Sequence, residues 1–290
     1  MSANRLRERL HRLQLHTGVP TLVLAASNID ADLSPALDDA LARIGDQACL
    51  DVVAWLRGGE VDAAYRLALR LHAATARLRF LVPHACASSG TLMALAAREI
   101  VPGPLAIFSP IDPHLAGGGA GMPEVLSSED LRRLPEALQA MFGLPEAAAS
   151  ARALALLGRR MSPATLATFH RTARAMETKA DALLALHEPS RERRERTVRD
   201  LLHGHGSHDY AITGDELRAL GLPVVHDAGI EALAWDVASA VRATIGPESR
   251  ASLADDWHDA VVGDAASLAL RRRTRGRRTG TWRTHASAAA

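Results

Sequence analysis

The residues best placed to do chemistry surround Ser88. An apolar run at residues 78–82 ends at Pro83, small residues follow, and an apolar helical pattern begins at Leu92, which is typical of a strand that turns tightly into a buried helix. A serine there lies at the positive end of the helix dipole, beside backbone N–H groups that lack helical partners. A nucleophile needs this setting, because donors must already be in place for the oxyanion that forms on attack. A helix N-cap serine without a catalytic role is the alternative interpretation.

Two other turns carry candidate functional groups. Gly58 and Gly59 follow an apolar run at residues 50–56, and Asp112 lies between two prolines after the run at residues 105–108. In parallel βαβ units, ligands gather beyond the carboxyl ends of the strands. We therefore expect the glycine pair, the serine turn and the aspartate turn to meet at one edge of a sheet. The alternatives are a plain strand-to-helix turn at the glycines and a structural role for Asp112.

The hydrophobic pattern predicts the elements that must position these turns. Apolar runs alternate with amphipathic helical patterns, which predicts an α/β fold with a mostly parallel sheet built from repeated βαβ units. Beyond residue 131 the pattern is helical and includes a long helix at residues 163–187, so the C-terminal part is predicted to be helical. Strands are predicted at residues 21–26, 50–56, 78–82 and 105–108, and early helices at 5–15, 34–44, 61–76 and 92–98.

The composition is ordinary for a soluble globular protein, with 290 residues, 48% hydrophobic and 23% charged. A formal net charge of +1 gives no argument for nucleic-acid binding. Cys49 and Cys86 form neither a disulfide framework nor a metal-binding motif. Residues 1–14 lack a signal-peptide core, and no run approaches the roughly 18 to 20 apolar residues of a membrane helix. We therefore expect a cytoplasmic protein without a membrane segment.

Two regions are predicted along the chain. Residues 1–250 form the main domain, and residues 251–290 form a C-terminal extension. The periodic pattern weakens beyond about Asp256, and basic residues concentrate from Arg271 onward. The segment from about residue 271 is therefore predicted to be disordered.

Six short stretches, taken in order, form a pattern over about residues 21–225. They are Gly-Gly at 58–59, Val-Pro at 82–83, Ala-Ser-Ser-Gly-Thr at 87–91, Pro-Ile-Asp-Pro at 110–113, Ser-His-Asp-Tyr-Ala-Ile at 207–212 and Gly-Leu-Pro-Val at 221–224. This pattern resembles the serine dehydrogenase proteinase family, a relative of signal peptide peptidase A (SppA) in the ClpP/crotonase superfamily. The resemblance implies a ClpP/crotonase-like fold with repeated β-β-α units.

The chain departs from the family's pattern and is identified as a divergent member. Leu56 and Arg57 replace a Thr-Pro pair before the glycines, and Ser89 replaces an alanine after the serine. Three further departures are Arg98 for an acidic residue, His114 for a glutamine and Ala211 for a proline.

The resemblance implies roles around the serine turn. Ser88 would be the nucleophile, and the backbone N–H groups of Gly59 and Ser89 would form the oxyanion hole. Gly58 would shape the same substrate-binding loop. Glycine suits position 59, because the backbone can approach the substrate there with no side chain in the way.

Two residues are candidates for the base. Lys179, the only lysine, lies in a context similar to a lysine of this family, whose relatives use a Ser–Lys dyad. A lysine acts as a base only where burial lowers its pKa, and arginine could not replace it. His208, followed by Asp209, is the other candidate and would give a Ser–His–Asp arrangement. Asp112 would orient the base or fix the wall of the loop.

His203, His205 and His208 also raise the question of a zinc site. No cysteine or carboxylate lies beside them at a recognised spacing, so surface histidines in a glycine-rich turn are the interpretation we favour. We predict no metal and no cofactor.

The leading hypothesis is a hydrolase: a serine peptidase that cleaves peptide or protein substrates through an acyl-enzyme at Ser88. The alternative is a catalytically inactive scaffold or binding subunit, which the change at Leu56 and Arg57 supports. A third hypothesis is an acyl-CoA enzyme of the crotonase kind, although such enzymes need no nucleophilic serine. The resemblance also implies a homo-oligomer.

Overall fold

The computed structural model describes residues 2–119, 122–245, 257–274 and 280–286. Within these residues, nine strands join one sheet and two form a separate ribbon. The strands are β1 (Thr21–Ala26), β2 (Gln47–Leu56), β3 (Thr75–Val82), β4 (Ala85–Cys86), β5 (Glu99–Pro102), β6 (Ile107–Phe108), β7 (His114–Gly119), β8 (Met122–Ser127), β9 (Trp257–Gly263), β10 (Ser267–Arg273) and β11 (Thr281–Ala286). The helices are α1 (Ser2–Thr17), α2 (Leu33–Ile44), α3 (Val61–Ala73), α4 (Ser89–Ala94), α5 (Ser128–Phe142), α6 (Glu146–Arg160), α7 (Pro163–Leu184), α8 (Arg191–His203), α9 (Gly214–Ala219) and α10 (Ala228–Thr244).

The centre of the sheet is parallel. β1, β2, β3 and β5 are neighbours in that order, and the short strands β4 and β6 continue the parallel pairing beyond the end of β2. α2 connects β1 to β2, and α3 connects β2 to β3. The predicted α/β fold with a mostly parallel sheet is thereby confirmed, as is the helical character of the segment from residue 131 to the end of α10 at Thr244.

The side chains of β1 alternate between two hydrophobic cores, as the pleat of a strand requires. Leu22 and Leu24 face a core that includes residues of α2, α3, α4, α7 and α8. Val23 and Ala25 face a second core, which α1 and α10 cover. Because both faces of the sheet are covered, β1 is apolar at nearly every position, which is why its pattern is a continuous apolar run.

The C-terminal strands extend the sheet in the antiparallel direction. β9 pairs with β1, β10 with β9, and β11 with β10. Leu268 and Leu270 of β10 pack in the second core, while Arg271 is fully buried in ion pairs with Asp259 and Asp30. The predicted disorder from about residue 271 is therefore wrong for residues 271–273, where carboxylates pair with Arg271 and Arg273, and for residues 281–286, which pair with β10. Residues 275–279 and 287–290 lie outside the described residues.

One sheet thus includes strands from both sides of the predicted domain boundary at residue 250. After the Asp112 turn, β7 and β8 form the two-stranded ribbon, which leads into α5 and α6. Leu138, Ala149 and Ala153 form a small separate core there. Among the helices that the structure describes, none has both the length and the apolar character needed to cross a membrane.

Candidate active site

Ser88 lies between β4 and α4 in a backbone conformation that L-residues rarely adopt. Its φ is +53° and its ψ is −118°, and among the described residues no other non-glycine residue has a positive φ. Its N–H donates to the hydroxyl of Ser109 at 2.8 Å, and the N–H of Ala87 donates to the carbonyl of Leu56 at 2.9 Å. Such strain persists where the surroundings over-determine it. Within the described residues, the Ser88 hydroxyl makes no capping hydrogen bond to α4, which argues against the N-cap alternative.

The glycine pair packs directly against the serine turn. Gly58 and Gly59 have φ values of +105° and +145°. A Cβ on Gly58 would lie 3.0 Å from the Cβ of Ser88, and a Cβ on Gly59 would lie 2.2 Å from the carbonyl oxygen of Ile29. Only glycine fits either position without strain. The Ser89 hydroxyl donates to the Gly59 carbonyl at 2.7 Å and so ties the two loops together.

Two hydroxyl residues that the sequence analysis missed hold the third turn in place. Thr91 of α4 donates from its hydroxyl to the carbonyl of Cys86 at 2.7 Å and accepts the N–H of Ser109 at 3.1 Å. Ser109 in turn accepts the Ser88 N–H. Ser109 directly follows a predicted strand, and this position at a carboxyl end was the available signal.

His208 and Asp112 form the central polar contact of the site. The Nδ1 atom of His208 lies 2.7 Å from Oδ1 of Asp112, whose side chain is 2% exposed. The hydroxyl of Ser127 donates to the other carboxylate oxygen of Asp112 at 2.6 Å. An antiparallel bridge between Phe108 and Ile212 brings the His208 segment alongside β6. The carboxylate partner of His208 is therefore Asp112, which lies 96 positions earlier in the chain.

Asp209 does not take the part that its position beside His208 suggested. It is exposed, and its N–H donates to the Ser207 hydroxyl at 3.2 Å. His208 and Asp209 are the central residues of a turn, which the hydrogen bond from the Tyr210 N–H to the Ser207 carbonyl closes at 3.1 Å.

A cavity of about 390 Å³ opens at the serine turn. Its size is within the range of small-ligand sites. Ser88, which is partly exposed, and His208 both line it, and Trp55, His84, Phe108 and Tyr210 supply aromatic and apolar wall. The rings of Trp55 and His84 lie 4.7 Å apart between centroids. The predicted meeting of the glycine, serine and aspartate turns at one sheet edge is confirmed, although their roles stay predictions.

Lys179 lies elsewhere, on α7. Its Nζ atom is 3.0 Å from Oδ1 of Asp62 and 5.8 Å from the centroid of the Tyr65 ring, and both of these partners belong to α3. Within the described part of the chain, Lys179 is not among the residues that line the Ser88 cavity. Ser88 and His208 line the same cavity, and His208 contacts Asp112, whereas the described contacts of Lys179 are with Asp62 and Tyr65 of α3.

The three neighbouring histidines have three different environments. His203 lies 2.9 Å from a carboxylate oxygen of Glu129, His205 stacks on Tyr210 with ring centroids 4.6 Å apart, and His208 contacts Asp112. Across the described ranges, no group of three or more His, Cys, Asp or Glu side chains is arranged to hold a metal ion.

Cys86 is the other nucleophile type near Ser88. It is fully buried in the first core, and burial raises the pKa of its thiol. A buried thiol with a raised pKa forms little thiolate, which is the reactive species. Of the two residues, only Ser88 lines the cavity.

Glu129 at the start of α5 leads to a prediction about acid stability. Burial by itself would raise the pKa of Glu129, but hydrogen bonds from Arg132, Arg133 and His203 outweigh burial and lower the pKa from 4.5 to about 2. The unfolded chain therefore binds this proton more readily, so the contribution of Glu129 is complete above about pH 4.5 and lost as the pH falls toward 2. We expect the urea stability of Glu129→Gln to depend less on pH in this interval. Equal pH dependence of the variant and the wild type would contradict the prediction.

The sheet, the serine turn and the histidine–carboxylate contact define the class: an α/β protein with a polar site at one edge of a mostly parallel sheet. Residues 16–131 match the model of a family described as ClpP-like SDH-type serine proteinases. The predicted resemblance to the serine dehydrogenase proteinase family is confirmed over this segment, which contains Gly58, Gly59, Ser88 and Asp112. Lys179 and His208 lie beyond it.

Two curated relatives come from Methanocaldococcus jannaschii, and both are uncharacterized proteins. MJ0137 is 42% identical over 66 residues, which are 23% of this chain and 23% of the relative. MJ1495 is 25% identical over 177 residues, which are 60% of this chain and 51% of the relative. The chain thus spans about half or less of the length of these relatives.

Among solved structures, a mutant of the membrane-bound stomatin-specific protease 1510-N, in complex with a substrate peptide, is similar at 14% sequence identity and a TM-score of 0.44. The alignment covers 70% of this chain and 73% of that chain. The assignment of the fold here depends on the sheet topology and on the family match.

Proposed function

We propose that the protein is a serine peptidase that cleaves peptide bonds through an acyl-enzyme at Ser88, with His208 as general base and Asp112 as the group that orients it. The observation that carries the proposal is that His208, which contacts buried Asp112 at 2.7 Å, lines the same cavity as the strained Ser88. The family match over residues 16–131 supports the reaction class.

The contact between His208 and Asp112 supports the choice of base. A carboxylate can only accept a hydrogen bond, so Nδ1 of His208 carries the proton that it donates to Asp112. Nε2 is then the nitrogen that takes the proton of the Ser88 hydroxyl as it attacks and returns it to the leaving amine. Burial of Asp112 strengthens its interaction with the imidazolium that forms, because water does not screen it.

The backbone around Gly59 supports the proposed oxyanion hole. The Ile29 N–H donates to the Gly58 carbonyl at 2.8 Å, and the Glu60 N–H donates to the Ile29 carbonyl at 2.7 Å. In such a parallel bridge, the residue between the two bonds turns its own N–H and C=O to the opposite side. The Gly59 carbonyl indeed accepts from Ser89, so we propose that its N–H faces the serine turn. The N–H of Ser89, the first residue of α4, is the second proposed donor.

A fluorophosphonate probe tests the proposal, because it reacts with activated serines. We expect mass spectrometry of the labelled protein to find the probe on Ser88. His208→Gln should slow labelling by about 10² to 10⁴, since a positioned base contributes that much. Lys179→Met should change the rate by no more than about twofold, because it removes only a partly exposed ion pair. Ser239→Ala, a remote hydroxyl on α10, is the control for handling.

Other outcomes of the labelling experiment would favour a different base or a different function. Labelling that needs Lys179 and not His208 would contradict the proposed base and restore the Ser–Lys dyad. A folded wild-type protein that neither reacts with the probe nor hydrolyses any peptide would favour the catalytically inactive scaffold. Binding of an acyl-CoA thioester without labelling would favour the crotonase-like alternative.

We also propose a homo-oligomer, which the resemblance implies, and a cytoplasmic location. Sedimentation at several protein concentrations tests the first: a single species at the mass of one chain would contradict it. Fractionation of the source cells tests the second.

A further inference from the structure

We propose that Arg271 is a positioning residue for the oxyanion hole: strand β10 holds residues 28–30, and these hold Gly59. The inference rests on the proposed function of the Ser88 site. It concerns a strand near the C-terminal end of the chain, more than 200 positions from the loop that it would control, as the separation of 243 between Arg271 and Asn28 shows.

Arg271 is completely buried and has polar partners on three sides. Its Nε and Nη2 atoms donate to the two carboxylate oxygens of Asp259 at 2.9 and 3.0 Å. Nη1 donates to Asp30 at 2.5 Å, and Nη2 also donates to the backbone carbonyl of Asn28 at 3.0 Å. The ring of Trp282 covers the guanidinium at 5.6 Å. A planar guanidinium with donors in fixed directions can satisfy all of these groups in one arrangement only.

Residues 28–30 connect Arg271 to the glycine loop, by which we mean Gly58 and Gly59. Arg271 contacts residues 28 and 30, and Ile29 between them is buried and makes the two backbone hydrogen bonds that flank Gly59. The approach is so close that a Cβ on Gly59 would lie 2.5 Å from the Ile29 nitrogen. A shift of residues 28–30 must therefore move Gly59 and the N–H that we place in the oxyanion hole.

The chemistry of this cluster explains why arginine is needed. Asp30 and Asp259 are mostly buried, and their charges are compensated by Arg271 together with Arg273. Buried ion pairs add little net stability, but they specify geometry, since few arrangements satisfy every partner. A lysine would keep the charge and lose the fork that reaches the Asn28 carbonyl and both carboxylates together.

The test compares Arg271→Lys with Arg79→Lys. Arg79 makes a similar pair with buried Asp51, at 2.5 and 2.6 Å, in the same sheet but away from the serine turn. We expect Arg271→Lys to lower kcat for a peptide substrate by about tenfold or more with KM within about threefold, because donors misplaced by about 1 Å lose transition-state stabilisation. We expect Arg79→Lys to keep kcat within about threefold of the wild type.

A second readout does not depend on activity. The amides of Ile29 and Glu60 form the bonds that flank Gly59, so we expect them to exchange with deuterium at least about tenfold faster in Arg271→Lys than in Arg79→Lys. If the wild type hydrolyses no peptide, the proposed function fails, and this measurement still decides whether β10 holds the glycine loop.

Three results would overturn the inference. They are equal exchange of these amides in the two variants, an equal loss of kcat in both, and a changed exchange in Arg271→Lys without a change of kcat in an active enzyme. Should Arg271→Lys not fold, Asp30→Asn replaces it, because it keeps the pair between Arg271 and Asp259. The same loss of kcat and the same faster exchange are expected there.

Discussion

Replacing Ser88 with alanine should lower peptide hydrolysis by about 10³-fold or more and leave the fold intact. The reason is that no acyl-enzyme can form, while the hydroxyl makes no capping bond to α4 within the described residues, so its loss breaks no such support of the fold. The measurement is kcat for a peptide substrate, with circular dichroism as the check of folding. If Ser88→Ala still hydrolysed the same substrate, with no contaminating peptidase present, the assignment of Ser88 as the nucleophile would be wrong.

The strained backbone at Ser88 can be tested by comparing the stabilities of two inactive variants, Ser88→Gly and Ser88→Ala. At φ +53° and ψ −118° an alanine carries a strain of roughly 1 to 3 kcal/mol that glycine avoids, while glycine also gains entropy in the unfolded chain. We expect Ser88→Gly to be inactive, like Ser88→Ala, and to be at least as stable as Ser88→Ala towards unfolding in urea. If Ser88→Gly were clearly less stable, the turn would not be strained, and strain would be no part of the site.

The second large effect is expected at Gly59. Its Cβ would lie 2.2 Å from the carbonyl oxygen of Ile29, and backbone cannot move aside as a flexible side chain can. We expect Gly59→Ala to lower the free energy of unfolding by about 2 to 4 kcal/mol, because strain and steric overlap combine. We also expect kcat to fall by about 10² to 10³, the loss typical of one oxyanion donor.

Gly18→Ala is the matched control for Gly59→Ala. Gly18 has a φ of +66°, and nothing lies within 4 Å of the Cβ that alanine would add. This variant therefore measures the cost of the positive φ alone, about 1 to 2 kcal/mol, and should leave kcat unchanged. If the two variants lost the same stability and neither lost activity, the close approach of Ile29 to Gly59 would have no role in catalysis.

Local patterns predicted the parallel half of the sheet well. β1 agrees with its apolar run at residues 21–26, and the runs at 50–56 and 78–82 became the later parts of β2 and β3. These strands are buried on both faces, so nearly every position in these runs selects an apolar side chain and the pattern is strong; the exceptions Asp51 and Arg79 pair with each other. The prediction that turns after these strands meet at one edge follows from the same topology.

The pairing of His208 could not be predicted in this way. Its neighbour in the chain, Asp209, is exposed, and its partner in space is Asp112. The bridge between Phe108 and Ile212 creates that contact, and no local periodicity encodes such a bridge. Lys179 illustrates the same limit, because a solitary lysine indicates nothing about which of several helices it will pack against.

The arginines of the C-terminal strand β10 explain why the sequence pattern did not predict a buried strand there. β10 carries three consecutive arginines, a composition that favours disorder when it is judged without partners. Two carboxylates, Asp30 and Asp259, come from distant parts of the chain and make burial of Arg271 tolerable. Only the folded sheet brings those charges together.

The amino-acid sequence by itself determined β1, the later parts of β2 and β3, the serine turn and the glycines beside it, because each depends on neighbours within a few residues. The tertiary structure decided which carboxylate contacts His208, where Lys179 lies and which side chain contacts residues 28 and 30. Those are contacts between groups 96 to 243 positions apart, or between helices, and their energies exist only once the sheet has closed around them.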